Sequence, residues 1–288
     1  MMRLLTLLLG CATAASAQDR IDYAVKDQDT LYMLHYEPQG TPNGMTIMHV
    51  HGGGFSGGTP EGDKAFATSM QERGYNVFSI SYRLFLKGSD FGCGTMTPVK
   101  LKAISTAVED VADAAKFLLD KGTELKVDTS KLYLSGSSAG AEAILHLLYN
   151  PFAASDPARY DYFTKRQRFK GALVFAGGLV DINPVQPSNW VPTLFMHGTA
   201  DELVPFGTAA HRFCRADQPG WMIMFGDKTI YDTGRRMQKD AILYTYVGRG
   251  HEVSGYMNRE AGKIHDFLQK VNAGKKLGAT QIMVPKGK

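Results

Sequence analysis

The sequence predicts an α/β domain with a mostly parallel central sheet and helices on both faces. Three observations point there. Apolar runs at Met45–Val50, Tyr75–Tyr82, Lys131–Leu134, Gly171–Phe175, Thr193–Met196 and Ala241–Val247 are separated by helical or turn-rich stretches. The runs are continuous rather than alternating, as expected of strands buried on both faces. Several of them end in glycine-bearing turns that carry residues able to do chemistry.

At 288 residues the chain has room for one large domain, and no linker composition divides residues 18–288. A hydrophobic content of 44% and a charged content of 21% are ordinary for a soluble globular protein. The formal net charge is +4 with no clustered basic face, which argues against nucleic acid as a partner. Residues 1–17 read as a signal peptide: Arg3, the apolar run Leu4–Leu9, and the small-residue site Ala15-Ser16-Ala17 before Gln18. The apolar run is too short for a membrane-spanning helix. The mature chain is therefore expected to be secreted or periplasmic. The alternative is a lipoprotein anchored through Cys11, which follows Leu8-Leu9-Gly10. Cleavage after Ala17 leaves Cys93 and Cys214, which could form one disulfide or remain two thiols.

Taken in order, residues 18–26 are polar and expected to fray. Leu31–Tyr36 suggests an early antiparallel strand, and Pro38–Gly44 a turn cluster. Met45–Val50 leads into His51-Gly52-Gly53-Gly54-Phe55. Lys64–Arg73 reads as a helix before the Tyr75–Tyr82 strand, and Lys87–Pro98 as a loop. Leu101–Leu119 is the clearest helix, with Leu101, Ile104, Val108, Val111, Ala115 and Leu118 in one apolar stripe. Lys131–Leu134 is a strand, followed by the turn Gly136-Ser137-Ser138-Ala139-Gly140 and a helix over Ala139–Tyr149. Further helices are expected near Thr208–Phe213, Lys228–Gln238 and Met257–Val271. Ala241–Val247 is expected to be the last strand, with a loose tail after Asn272.

Four turns at strand ends carry His51–Gly54, Ser138, Asp201 and His251, and ligands of such sheets bind beyond the carboxyl ends of the strands. Acyl transfer by serine needs a hydroxyl, a base, a group to orient the base, and N–H donors for an oxyanion. Ser138, at a strand-to-helix elbow, supplies the hydroxyl. His251, in a glycine turn after a late strand, is the base. Asp201, in Gly198-Thr199-Ala200-Asp201, is the orienting acid, with Asp181 its rival. Gly53, Gly54 and Ala139 are the oxyanion donors. The other histidines fit packing roles: His49 and His197 near strand ends, His51 bracing the glycine loop, and His211 in a surface helix.

These residues resemble the motifs of the α/β-hydrolases: Gly-x-Ser-x-Gly at Gly136–Gly140, His-Gly-Gly-Gly at His51–Gly54, and the chain order Ser138, Asp201, His251. Within that superfamily the chain resembles bacterial carboxylesterases over about Met45 to His251. The resemblance implies hydrolysis of a small-molecule or carbohydrate ester through an acyl-serine, with no metal and no organic cofactor. It extends more weakly to exported esterases that release acetyl or feruloyl groups. A prolyl-oligopeptidase-type serine peptidase and a non-catalytic binding protein on the same scaffold are the alternatives. The Gly220–Asp232 stretch matches no motif and is expected either to pack or to line the cleft.

Overall fold

Among the described residues the central sheet has nine strands. The structure, a computed structural model, describes residues 19–150, 163 and 169–287. The segment read as a signal peptide, with Cys11, lies outside the described residues. In chain order the elements are β1 (Asp19–Lys26), β2 (Asp29–Tyr36), β3 (Thr46–Val50), α1 (Lys64–Gln71), β4 (Asn76–Ile80), α2 (Thr97–Asp120), β5 (Leu132–Ser137), α3 (Ala139–Tyr149) and β6 (Gly171–Phe175). There follow β7 (Gly178–Leu179), β8 (Thr193–Gly198), β9 (Thr208–Ala210), β10 (Ile223–Gly226), α4 (Asp227–Arg236), β11 (Ala241–Tyr246), α5 (Ala261–Asn272) and β12 (Ala279–Val284). The large sheet is ordered β1-β2-β4-β3-β5-β6-β8-β11-β12; from β4 to β12 neighbouring strands run parallel, and β1 and β2 join antiparallel at one edge.

The core forms two layers, one on each face of this sheet. Ile104 and Val108 of α2, Ile144 and Leu145 of α3, and Ile230 of α4 pack in one layer. Phe66 and Met70 of α1 and Ile264, Phe267 and Leu268 of α5 pack in the other. β3, β4, β5 and β6 are buried at every residue, which is why their sequences are continuous apolar runs.

Five expectations are corrected. Residues 19–26 do not fray; they form β1, with Ile21 and Tyr23 against the core and the Tyr23 hydroxyl donating to Ser81 O at 2.6 Å. The tail is not loose, and Ala241–Tyr246 is not the last strand. β12 pairs in parallel with β11, and Asp240 accepts the Leu277 and Gly278 N–H groups at the entry to it. Both strands are exposed edges held largely by backbone ladders, so their sequences carry little apolar pattern. Thr208–Phe213 is not a helix: β9 pairs with β10 in a small sheet ordered β7-β10-β9. Finally, Leu101 is 41% exposed and leaves the α2 stripe, while Lys100, one turn before Ile104, is buried and donates to Gly220 O at 2.9 Å.

Cys93 and Cys214 are joined in a disulfide across 121 residues of sequence. It ties the loop before α2 to the turn after β9. The Gly220–Asp232 stretch, which carries β10 and the first turns of α4, packs: Met222 and Met224 are buried, and Trp221 lies on the surface.

Candidate active site

The turns after β3, β5, β8 and β11 meet at the carboxyl edge of the sheet, around a cleft of about 470 Å³. Ser138 sits between β5 and α3 with φ 51° and ψ −122°, a conformation that favours glycine. Holding a non-glycine residue there costs of the order of 1–3 kcal/mol and persists only where the surroundings enforce it. Here the Ser138 N–H donates to Phe175 O at 2.8 Å, and Ser138 O accepts the Glu142 N–H at 2.9 Å. The elbow also needs close backbone approach. A Cβ on Gly140 would lie 2.1 Å from Val50 O, so only glycine lets α3 start against the end of β3.

His251 and Asp201 complete a chain of hydrogen bonds to this hydroxyl. Ser138 Oγ is 2.7 Å from His251 Nε2, and His251 Nδ1 is 2.8 Å from Asp201 Oδ2. The carboxylate accepts the Nδ1 proton, which leaves Nε2 as the acceptor for the serine hydroxyl. Asp201 is 3% exposed, and its Oδ1 accepts the Leu203 and Val204 N–H groups at 2.8 and 3.0 Å. Burial works against its charge, but hydrogen bonds from His197 and His251 outweigh it and hold the carboxyl well below the usual carboxylate range. Asp181, the rival acid, lies elsewhere and accepts from Asn183 N and Nδ2 at 3.0 and 2.8 Å.

Gly53, Gly54 and Ala139 line the same cleft as Ser138. Ala139 is the first residue of α3, so its N–H belongs to the helix end that has no intrahelical partner. Gly53 has φ +116°, and a Cβ there would fall 2.0 Å from Gly57 O; the loop closes on itself as Gly57 N–H donates to Gly53 O at 3.0 Å. His51 braces this loop. Its Nδ1–H donates to Gly52 O at 2.7 Å, and its ring stacks on Tyr82 at 4.4 Å. Burial pushes His51 down to about 4, so the ring is neutral at pH 7.

Two groups of residues escaped the sequence reading. His197 and Asp227 stand behind Asp201, with His197 Nδ1 2.8 Å from Asp227 Oδ2. His211, expected on a surface helix, is 3% exposed in the cleft wall, with Nε2 3.3 Å from Glu142 Oε1 and its ring edge-on to Phe91 at 5.1 Å. Arg212 beside it has φ 55° and lines the cleft near Gly54. Glu142 was legible in principle, because it lies one helical turn beyond Ser138. His211 and Arg212 come from the distant turn after β9, and no local pattern marks them.

The family model BD-FAE matches residues 33–174. Solved structures of esterase 2 from the Planctomycetes species Thermogutta terrifontis share the architecture. Its apo form matches with a TM-score of 0.62 at 17% identity, covering 92% of this chain and 96% of that one. The butyrate-bound form and the form phosphorylated by paraoxon each match with a TM-score of 0.60 at 18% identity, covering 89% of this chain and 92% of that one. At this identity the likeness is one of fold. No protein with a curated description matches the chain.

Proposed function

We propose that this chain, which belongs to the α/β-hydrolase superfamily and is an esterase of the serine-hydrolase type, cleaves short-acyl carboxylic esters through an acyl enzyme on Ser138. The observation that carries the proposal is the continuous chain Ser138 Oγ, His251 Nε2 and Nδ1, Asp201 Oδ2, with links of 2.7 and 2.8 Å.

In the proposed cycle His251 Nε2 takes the Ser138 proton as Oγ adds to the ester carbonyl. The N–H groups of Gly53, Gly54 and Ala139 receive the oxyanion in a site already shaped for it. Asp201 stabilises the imidazolium and holds its orientation. The imidazolium then protonates the leaving alcohol. Water, activated by the same nitrogen, adds to the acyl-serine, and collapse of that adduct releases the carboxylic acid. The Thermogutta esterase is phosphorylated by paraoxon, and the same reagent applied to this chain is expected to add one diethyl phosphoryl group. Peptide mapping by mass spectrometry should place it on Ser138. A protein left unmodified would refute the reading and favour the non-catalytic scaffold.

The cleft wall contributed by Glu142, His211 and Arg212 supports short or polar substrates. Gly220–Asp232 does not line the cleft and supplies no lid. A long acyl chain gains about 0.8 kcal/mol per methylene only where each is fully covered. Acetyl to butyryl nitrophenyl esters are therefore expected to show much higher kcat/KM than palmitoyl esters, without a rate jump at the solubility limit. A maximum at twelve carbons or beyond would reverse this reading.

Export forms the last part of the proposal. A disulfide between Cys93 and Cys214 suits an oxidising compartment. Intact mass of the exported protein is expected to begin at Gln18. A lipid-modified mass beginning at Cys11 would establish the anchored alternative. Among the described residues no helix is long and apolar enough to cross a membrane.

A further inference from the structure

His197 has polar neighbours that are all acceptors. Nδ1 faces Asp227 Oδ2 at 2.8 Å, while Nε2 faces Val204 O at 3.1 Å and Asp201 Oδ2 at 3.3 Å. The His197 ring and the carboxyl groups of Asp201 and Asp227 have no side-chain exposure. A neutral imidazole has one N–H and one bare nitrogen, so one of these contacts would set a lone pair against an oxygen. Asp227 Oδ2 also accepts the Gly177 N–H at 3.2 Å, a second donor that favours the charged carboxylate and with it a shared proton on the ring.

We infer that His197 is a positioning residue for the orienting acid: as an imidazolium clamped between Asp227 and Asp201, it keeps the Asp201 carboxylate charged and aimed at His251. This inference rests on the esterase reading above. The resulting series runs Asp227, His197, Asp201, His251, Ser138. It explains how two acids sit in a dry interior without repelling one another, since the cation lies between them. Burial opposes the charge on His197, but the Asp227 carboxylate and the hydrogen bonds to Asp201 and Asp227 outweigh it and push the ring up to about 10. Burial raises the Asp227 carboxyl, the opposite tendency within the pair; the acceptor-only surroundings of the ring favour the ion pair.

The charged groups facing this pair are few. Asp227 comes from α4, Asp201 from the turn after β8, and His251 approaches Asp201 from the turn after β11. The edge-on ring of Phe206 packs beside His197, at 5.6 Å. The charge nearest Asp201 on the far side from His251 is thus positive. Removing it leaves Asp201 a stronger partner for a protonated His251. The acid limb of kcat/KM should then move to higher pH, with each unit of displacement a tenfold change in proton affinity.

The test uses the full chain in two arms. In the first, ¹⁵N NMR of histidine-labelled wild-type protein, assigned with the His197→Gln variant, should show both His197 nitrogens protonated at pH 8. In the second, His197→Gln and Asp227→Asn are assayed on nitrophenyl acetate, with sites counted by phosphonate titration so that misfolded protein drops out. His197→Gln should move the acid limb upward by about one pH unit, and Asp227→Asn, which takes the counter-ion from the ring, should leave His197 with a single proton in the NMR arm. For His197→Gln, kcat per titrated site should fall while KM holds. A singly protonated His197 in the wild type would overturn the inference. So would a His197→Gln variant whose per-site kcat and acid limb match the wild type. If the wild type itself takes up no phosphonate, the esterase reading fails instead, and the NMR arm still decides the state of His197.

Discussion

Ser138→Ala is expected to lose about a million-fold in kcat, the loss typical when a triad nucleophile is removed. The hydroxyl is the group that would form the acyl bond. Ser137, the last residue of β5, also lines the cleft, but it is Ser138 Oγ that lies 2.7 Å from His251 Nε2. The variant should keep its fold, since alanine removes only an oxygen and φ 51° is already enforced by the bond from Ser138 N to Phe175 O. Serine and alanine carry the same Cβ, so the strain at φ 51° is unchanged. Single-turnover assays on nitrophenyl acetate, with circular dichroism as the folding control, would check this. Activity above a few per cent of wild type, in protein free of contaminating esterase, would transfer the nucleophile to Ser137.

Asp201→Asn is expected to lower kcat by about ten-thousand-fold, the cost measured for the same change in a serine protease. The carboxamide can present its NH₂ to His251 Nδ1, which holds the imidazole in the tautomer whose Nε2 carries the proton and cannot accept one from Ser138. Two further links fail with it. The Oδ1 atom that receives the Leu203 and Val204 N–H groups, and the Oδ2 atom near His197, lose their charge. Asp181→Asn should leave kcat near wild type, because that carboxyl bonds only to Asn183 among its hydrogen-bonding partners and takes no part in the chain to Ser138. Parallel kcat measurements on the two variants decide the matter. Equal losses, or a larger loss at Asp181, would move the acid to the turn after β7.

Much of the architecture and the proposed triad could be read from the chain, for steric and topological reasons. A strand-to-helix elbow constrains Gly136, Ser138 and Gly140 within five residues, so its demands are written locally. The buried strands β3, β5, β6 and β8 announce themselves as unbroken apolar runs, and the turn that follows each is easy to find. Asp201 was preferred to Asp181 from the turn around it, and it is Asp201 that lies 2.8 Å from His251. What escaped depends on partners far away in sequence. β1 and β12 are edge strands, each paired on one side to a strand that its own sequence does not reveal. His197 looked like a strand-end packing residue because Asp227, which gives it another role, begins a helix 30 residues later. His211 and Arg212 looked superficial because nothing nearby reveals that β9 turns them back toward the glycine loop. The pairing of Cys93 with Cys214 was likewise undecidable until both turns were seen side by side.

The disulfide makes a covalent ring of the chain between residues 93 and 214. Ser138 and Asp201 belong to that ring, whereas His251 hangs on the open segment beyond it. One peptide bond cut anywhere inside the ring therefore leaves a single molecule, with the serine and the acid still on it, until a thiol opens the S–S bond. A cut between residues 214 and 251 instead separates the histidine from the other two at once. The span most exposed to loss of function by a single cut is therefore the one on the carboxyl side of Cys214, where β10, α4 and β11 are held by packing and backbone hydrogen bonds rather than by the disulfide.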